Sequence, residues 1–142
     1  MKGLIFRLTT GIAAVYHVIL GIAMLVLPAE GLAAVKPLFL GFVVEVDPQL
    51  AMAGKFAGSY VLAFGVTLAL LCARPQRMRA LVVPALVLFG IRLANKLVFM
   101  SAIEEAFGVT RGRGLFAVAT LAVIFGLIAW SRPEKPETPG KP

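Results

Sequence analysis

The chain has 142 residues, of which 60% are hydrophobic and only 15% charged, and its mean hydropathy is +0.94. Soluble domains average ~45–50% apolar and ~25% charged, and a chain this short buries one modest core. An ordinary soluble domain and a disordered chain are both excluded, and the apolar surplus points to a bilayer. The formal charge of +7 comes from 14 Lys and Arg against 7 Asp and Glu. These charges flank apolar runs, which reads as membrane orientation and not as nucleic-acid binding.

Four runs of spanning length predict an all-α, polytopic membrane protein, a four-helix bundle over residues 1–130. The first span covers about 8–27. It carries no formal charge, holds His17 near its middle beside Tyr16, and stops at Pro28. It exceeds the apolar part of a signal peptide, and no small-residue cleavage pattern follows it. The connection to the next span includes an apolar stretch, 38–46, too short to cross as a helix. It reads as interfacial, re-entrant or strand-like.

The second span covers about 50–72, with Lys55 near its start and Cys72 at its end. Gly54 and Gly58 make a G-x-x-x-G pair, with Gly65 one heptad beyond Gly58. Small residues at this spacing let helices approach closely. Within the chain they serve helix packing, and between chains they would serve self-association. Gly11, Gly21, Gly90 and Gly126 fit the same packing role.

A basic turn, ARPQRMR, leads to the third span at about 80–100. It contains Pro84 early and Arg92, Asn95 and Lys96 late. The connection 101–113 holds Glu104 and Glu105. The fourth span covers about 114–130. The tail, 131–142, has four prolines in twelve residues and reads as a polar, extended cytoplasmic segment.

Basic residues set the topology. With the N terminus inside, eight lie inside (Lys2, Arg7, Arg74, Arg77, Arg79, Arg132, Lys135, Lys141). Three lie outside (Lys36, Arg111, Arg113) and three within spans. Both termini are therefore expected in the cytoplasm, with the chain in a plasma membrane of the bacterial inner-membrane type.

The three cations within spans are the informative feature. A Lys or Arg near the bilayer centre costs roughly 2.5–3.5 kcal/mol on insertion scales. Arg92 and Lys96 share a helical face, with Asn95 beside them, and Lys55 sits at a similar outer depth. In the plainer reading they pair with Glu45, Asp47, Glu104 and Glu105, or snorkel to the headgroups. In the sharper reading Arg92, Asn95 and Lys96, with Lys55, His17 and Tyr60 nearby, form a polar pocket. Its planar donor fork and amide suit the carbonyl or carboxylate of a small lipophile such as a quinone, fatty acid or lipid.

His17 at that depth is a candidate haem or metal ligand or proton relay. The chain has no second histidine to complete an axial pair or a His-rich metal site. The plainer expectation is a neutral imidazole bonded to Tyr60, Ser59 or Thr67. No nucleophile–base pair, phosphate loop or dinucleotide fingerprint occurs. Neither catalytic residues nor a resident cofactor is expected, and a bound lipid or quinone is the ligand the pocket would suit. The lone Cys72 excludes a CxxC redox pair and reads as packing.

The segments FRLTTGIAAVYHVILGIAMLVLP (6–28), GKFAGSYVLAFGVTLALLCARPQRMRALVV (54–83) and LFGIRLANKLVF (88–99) resemble the DoxX-like group of small membrane proteins, and more closely its BphX-like members. The likeness covers about two-thirds of the chain. It rests on glycine placement, the run Gly58 to Gly65, the basic turn and the polar Arg92. It implies a four-helix inner-membrane bundle, and association, for some relatives, with quinone-linked oxidoreductases. Lys96 and the proline-rich tail depart from that pattern.

Together these observations favour a non-catalytic accessory or structural subunit of a larger membrane complex. A small-lipophile binding protein is the alternative, and an oligomeric transporter or channel the third reading. The expected partners are the bilayer, other membrane subunits or further copies of the chain, and not nucleic acid.

Overall fold

The computed structural model describes residues 1–28, 31 and 48–133, and every regular element among them is helical. Helix α1 spans Lys2–Val26 and α2 spans Pro48–Ala73. A 3-10 turn at Arg79–Leu81 runs directly into α3, Val82–Val98. The short α4 covers Met100–Phe107 and α5 covers Arg111–Ser131. Four stretches are long and apolar enough to cross a membrane: Lys2–Val26, Pro48–Ala73, Arg79–Val98 and Arg111–Ser131. The protein is an all-α membrane bundle of four spans.

The helix ends follow local chemistry. Leu27 leaves α1 in an extended conformation (φ −70°, ψ 139°), as the residue before Pro28 must. Pro48 opens α2, where its missing N–H costs nothing. Gly108 ends α4 in the left-handed region (φ 61°), which a glycine adopts without strain. The first span begins six residues earlier than its apolar run, because the helix continues through Lys2 and Arg7 beyond the hydrocarbon. The expected connection 101–113 is corrected: its first part is α4, separated from α3 only by a change of direction at Phe99 (φ −101°, ψ 18°). The stretch 38–46 and the tail beyond residue 133 lie outside the described residues.

Helices α1 and α2 form an antiparallel pair packed along their whole length. Contacts pair position 11 with 72, 18 with 65, 21 with 62 and 24 with 58, so the chains run in opposite directions. The close approach depends on three glycines. A Cβ on Gly21 would stand 2.6 Å from the Leu62 nitrogen. One on Gly58 would stand 2.8 Å from the Met24 Cβ, and one on Gly65 2.7 Å from the Val18 nitrogen. Gly11 lies against Cys72, whose thiol donates to the Arg7 carbonyl at 3.3 Å. Gly90 makes only an ordinary contact with Phe125, and Gly126 has open space around it, so the expected tight packing at Gly126 is absent.

Helix α5 packs against both α1 and α3, while α2 and α3 meet only narrowly. Phe6, Leu68, Leu71, Val82, Ala85, Phe89 and Ile128 form the shared core. All lie in the half of the bundle that ends in Arg7, Arg74, Arg77, Arg79 and Arg132. Beyond Phe89, no residue of α3 or α4 is buried, and on α5 only Ile128 and Ser131 are. Among the described residues α3 and α5 are tightly packed at the arginine-rich end and looser toward the other, while α1 and α2 stay in close contact throughout.

Candidate functional site

His17 stands where the tight half ends. It faces inward on α1 and is 3% exposed. Three aromatic rings surround it edge to face: Tyr16 at 5.2 Å, Phe64 of α2 at 5.0 Å and Phe89 of α3 at 6.0 Å between centroids. Phe64 and Phe89 also pack on each other at 5.2 Å, closing the cage on the side of the core. Such ring pairs each contribute ~0.5–1.5 kcal/mol beyond their buried area. Gly65 brings α2 near enough for Phe64 to reach the imidazole.

Both ring nitrogens of His17 are engaged. Nδ1 lies 2.6 Å from the Ala13 carbonyl oxygen, and Nε2 lies 2.5 Å from Nη1 of Arg92 on α3. The partners decide the tautomer. A carbonyl oxygen only accepts and a guanidinium only donates. Nδ1 must therefore carry the hydrogen, and Nε2 presents its lone pair to Arg92. The imidazole is neutral and held in one tautomer. This corrects the expected partners. Tyr60 points away from the bundle, 78% exposed. Ser59 donates to the Phe56 carbonyl and Thr67 to the Ala63 carbonyl, each within its own helix. With Nε2 occupied, His17 offers no free lone pair to a metal. Among the described residues no three His, Cys, Asp or Glu side chains come together.

Arg92 is about 20 Å along its span from Arg79, roughly two-thirds of the way across a ~30 Å hydrocarbon layer and still within it. It is half-buried. The His17 bond offsets part of the insertion cost, since hydrogen bonds to charged groups contribute ~1.5–3 kcal/mol. It leaves the positive charge in place. The electrostatic neighbours of Arg92 are the Tyr16 phenol and Lys96, and that of Lys96 is Arg92. None is a carboxylate.

Of the acids expected to neutralise this level, Glu104 and Glu105 sit on α4 and pair with neither cation. Glu104 has an enclosed carboxylate oxygen without a hydrogen-bond partner among the described residues. Glu45 and Asp47 lie outside the described residues. The structure thus joins His17, Arg92 and Lys96. Lys55 and Asn95 are exposed on their helices, Gly54 is half-buried on α2, and Gly58 and Gly65 serve the α1–α2 contact.

The sequence left Phe64 and Phe89 unassigned, although both stand roughly ten residues from the arginine-rich end of their spans. That equal depth was the available signal. What the site can do chemically is hold an acceptor. One guanidinium N–H serves His17, and Lys96 stands one helical turn from Arg92 on the same face, within its electrostatic reach. No family model, curated protein or solved structure matches the chain.

Proposed function

We propose that the protein is a non-catalytic membrane protein that binds a small lipophile with an acidic head at Arg92 and Lys96. One observation carries this: Arg92 is a cation within the span whose side-chain partner is a neutral imidazole, with a second cation one turn away and, among the described residues, no carboxylate paired to either. Two positive charges at this depth favour a carboxylate over the neutral carbonyl of a quinone. The aromatic cage forms a floor, and the exposed Ile91, Leu97 and Val98 beyond Phe89 offer an apolar surface to an aliphatic tail.

The basic end is read as cytoplasmic, in a membrane of the bacterial inner-membrane type, which places the site in the outer half. Lipid co-purified without detergent exchange and identified by mass spectrometry tests the assignment. Arg92→Ala is expected to lose a carboxylate-bearing lipid several-fold relative to wild type. Unchanged lipid content refutes it.

A second reading, an accessory subunit of a larger complex, is favoured by the outward faces of α3 and α5. Val83, Val98, Phe116 and Val123 are all more than half exposed there, and only 17% and 11% of the two spans' apolar windows is buried. Gentle extraction from native membranes would then recover a second protein in fixed ratio. A lone chain or a homo-oligomer counts against that reading. The DoxX-like resemblance supplies one candidate class of partner, a quinone-linked oxidoreductase.

A further inference from the structure

The arginine-rich end holds a separate groove of about 740 Å³ between the start of α3 and the residues that directly follow α5, Arg132 and Pro133. Arg79 and Arg132 stand on its rim, and Val82, Val83 and Leu86 form an apolar wall running into the span. We propose that this groove seats one anionic phospholipid, with its phosphate between the two arginines and an acyl chain along Val83 and Leu86.

Place, charge and shape support the same occupant. Arg79 precedes α3 and Arg132 follows α5, so both guanidinium groups lie at headgroup level, where each span leaves the hydrocarbon. Neither is paired with a carboxylate among the described residues. A guanidinium grips phosphate oxygens with two parallel N–H bonds. Basic pockets between spans are a recurrent way of holding anionic headgroups. A free phosphate would satisfy the arginines but leave Val83, 65% exposed, uncovered. A phospholipid satisfies both parts of the groove. The site lies at the opposite level from Arg92, so neither assignment depends on the other.

The chain carries its own reporter. Trp130 is its single tryptophan, exposed on α5 two residues before Arg132. Full-length protein is placed in nanodiscs of phosphatidylcholine with rising fractions of brominated phosphatidylglycerol or brominated phosphatidylcholine, and quenching of Trp130 gives their relative association. Wild type is expected to favour phosphatidylglycerol about fivefold or more. Arg132→Gln is expected to retain part of that preference, and Arg79→Gln/Arg132→Gln to bring it close to equality. Arg77→Gln, outside the groove, is expected to keep it.

Equal quenching by both lipids in wild type overturns the proposal. So does a loss on Arg77→Gln as large as that of the double variant, which would show diffuse charge and not a seat. A preference seen only after removal of 134–142, which carries Glu134 and Glu137, assigns the groove to the tail and also overturns it.

Discussion

Replacing Gly65 with alanine tests the packing that positions His17. The added Cβ would stand 2.7 Å from the Val18 nitrogen, 2.8 Å from Val18 Cγ2 and 3.1 Å from the His17 carbonyl carbon. Ordinary contact begins near 3.4 Å, so α1 and α2 must part locally by roughly 0.7 Å, and a gap of that size forfeits about a quarter to a half of each neighbouring contact. The obstacle is backbone, which cannot rotate aside. Overpacking of this kind costs ~1–3 kcal/mol, and alanine returns ~0.5–1 kcal/mol through its stiffer unfolded chain. The net expectation is a loss of about 1–2 kcal/mol, roughly a 5- to 30-fold fall in the folded-to-unfolded ratio. Unfolding by sodium dodecyl sulfate titration in mixed micelles reads it, with Gly126→Ala as the matched comparison. Gly126 meets no atom within 4 Å, so that variant should be neutral or slightly stabilised. Equal stability of the two variants would refute the steric account of the α1–α2 contact.

Two further expectations address the site and the orientation. His17→Ala and Arg92→Ala, singly and together, should show a coupling of ~1–3 kcal/mol in the same titration, because each single change strands the other buried partner. Additivity within about 0.5 kcal/mol would show that the bond between them contributes nothing to stability. On a Cys72→Ser background, Arg77→Cys should react with a membrane-impermeant maleimide only once the cytoplasmic side is opened. Glu105→Cys should react in intact cells, and the reverse pattern overturns the orientation.

The spans were readable because hydropathy alone defines them, and each was placed to within a few residues except at Lys2, where a helix outlasts the bilayer. Helix α4 escaped because MSAIEEAF is amphipathic and short, although it contains no glycine or proline and Gly108 marks its end. The partner of His17 escaped for a different reason. Ser59, Thr67 and Tyr60 stood on the adjacent span and were polar. Yet hydroxyls on a helix commonly bond the carbonyl three or four residues back, as Ser59 and Thr67 do. Applying that rule would have left Arg92 as the donor of matching depth. Which face Tyr60 presents depends on how α2 turns toward α1. Gly58 and Gly65 decide that jointly with Gly21 on the other helix, a pairing that one sequence does not reveal.

The glycine contact between α1 and α2 also bears on biogenesis. These two helices are made before α3 and pack directly on each other, so their pairing does not require α3 to have left the ribosome. Ala13 already fixes the imidazole within α1, and Nε2 then faces the place where the third span will arrive. Arg92, the costliest residue to put into lipid, enters with its acceptor in position and does not have to wait for the fold to close around it. Order of synthesis thus lightens the insertion of a charged span, and a substitution at Gly65 would be felt as poor membrane integration of α3 as well as lower stability of the finished protein.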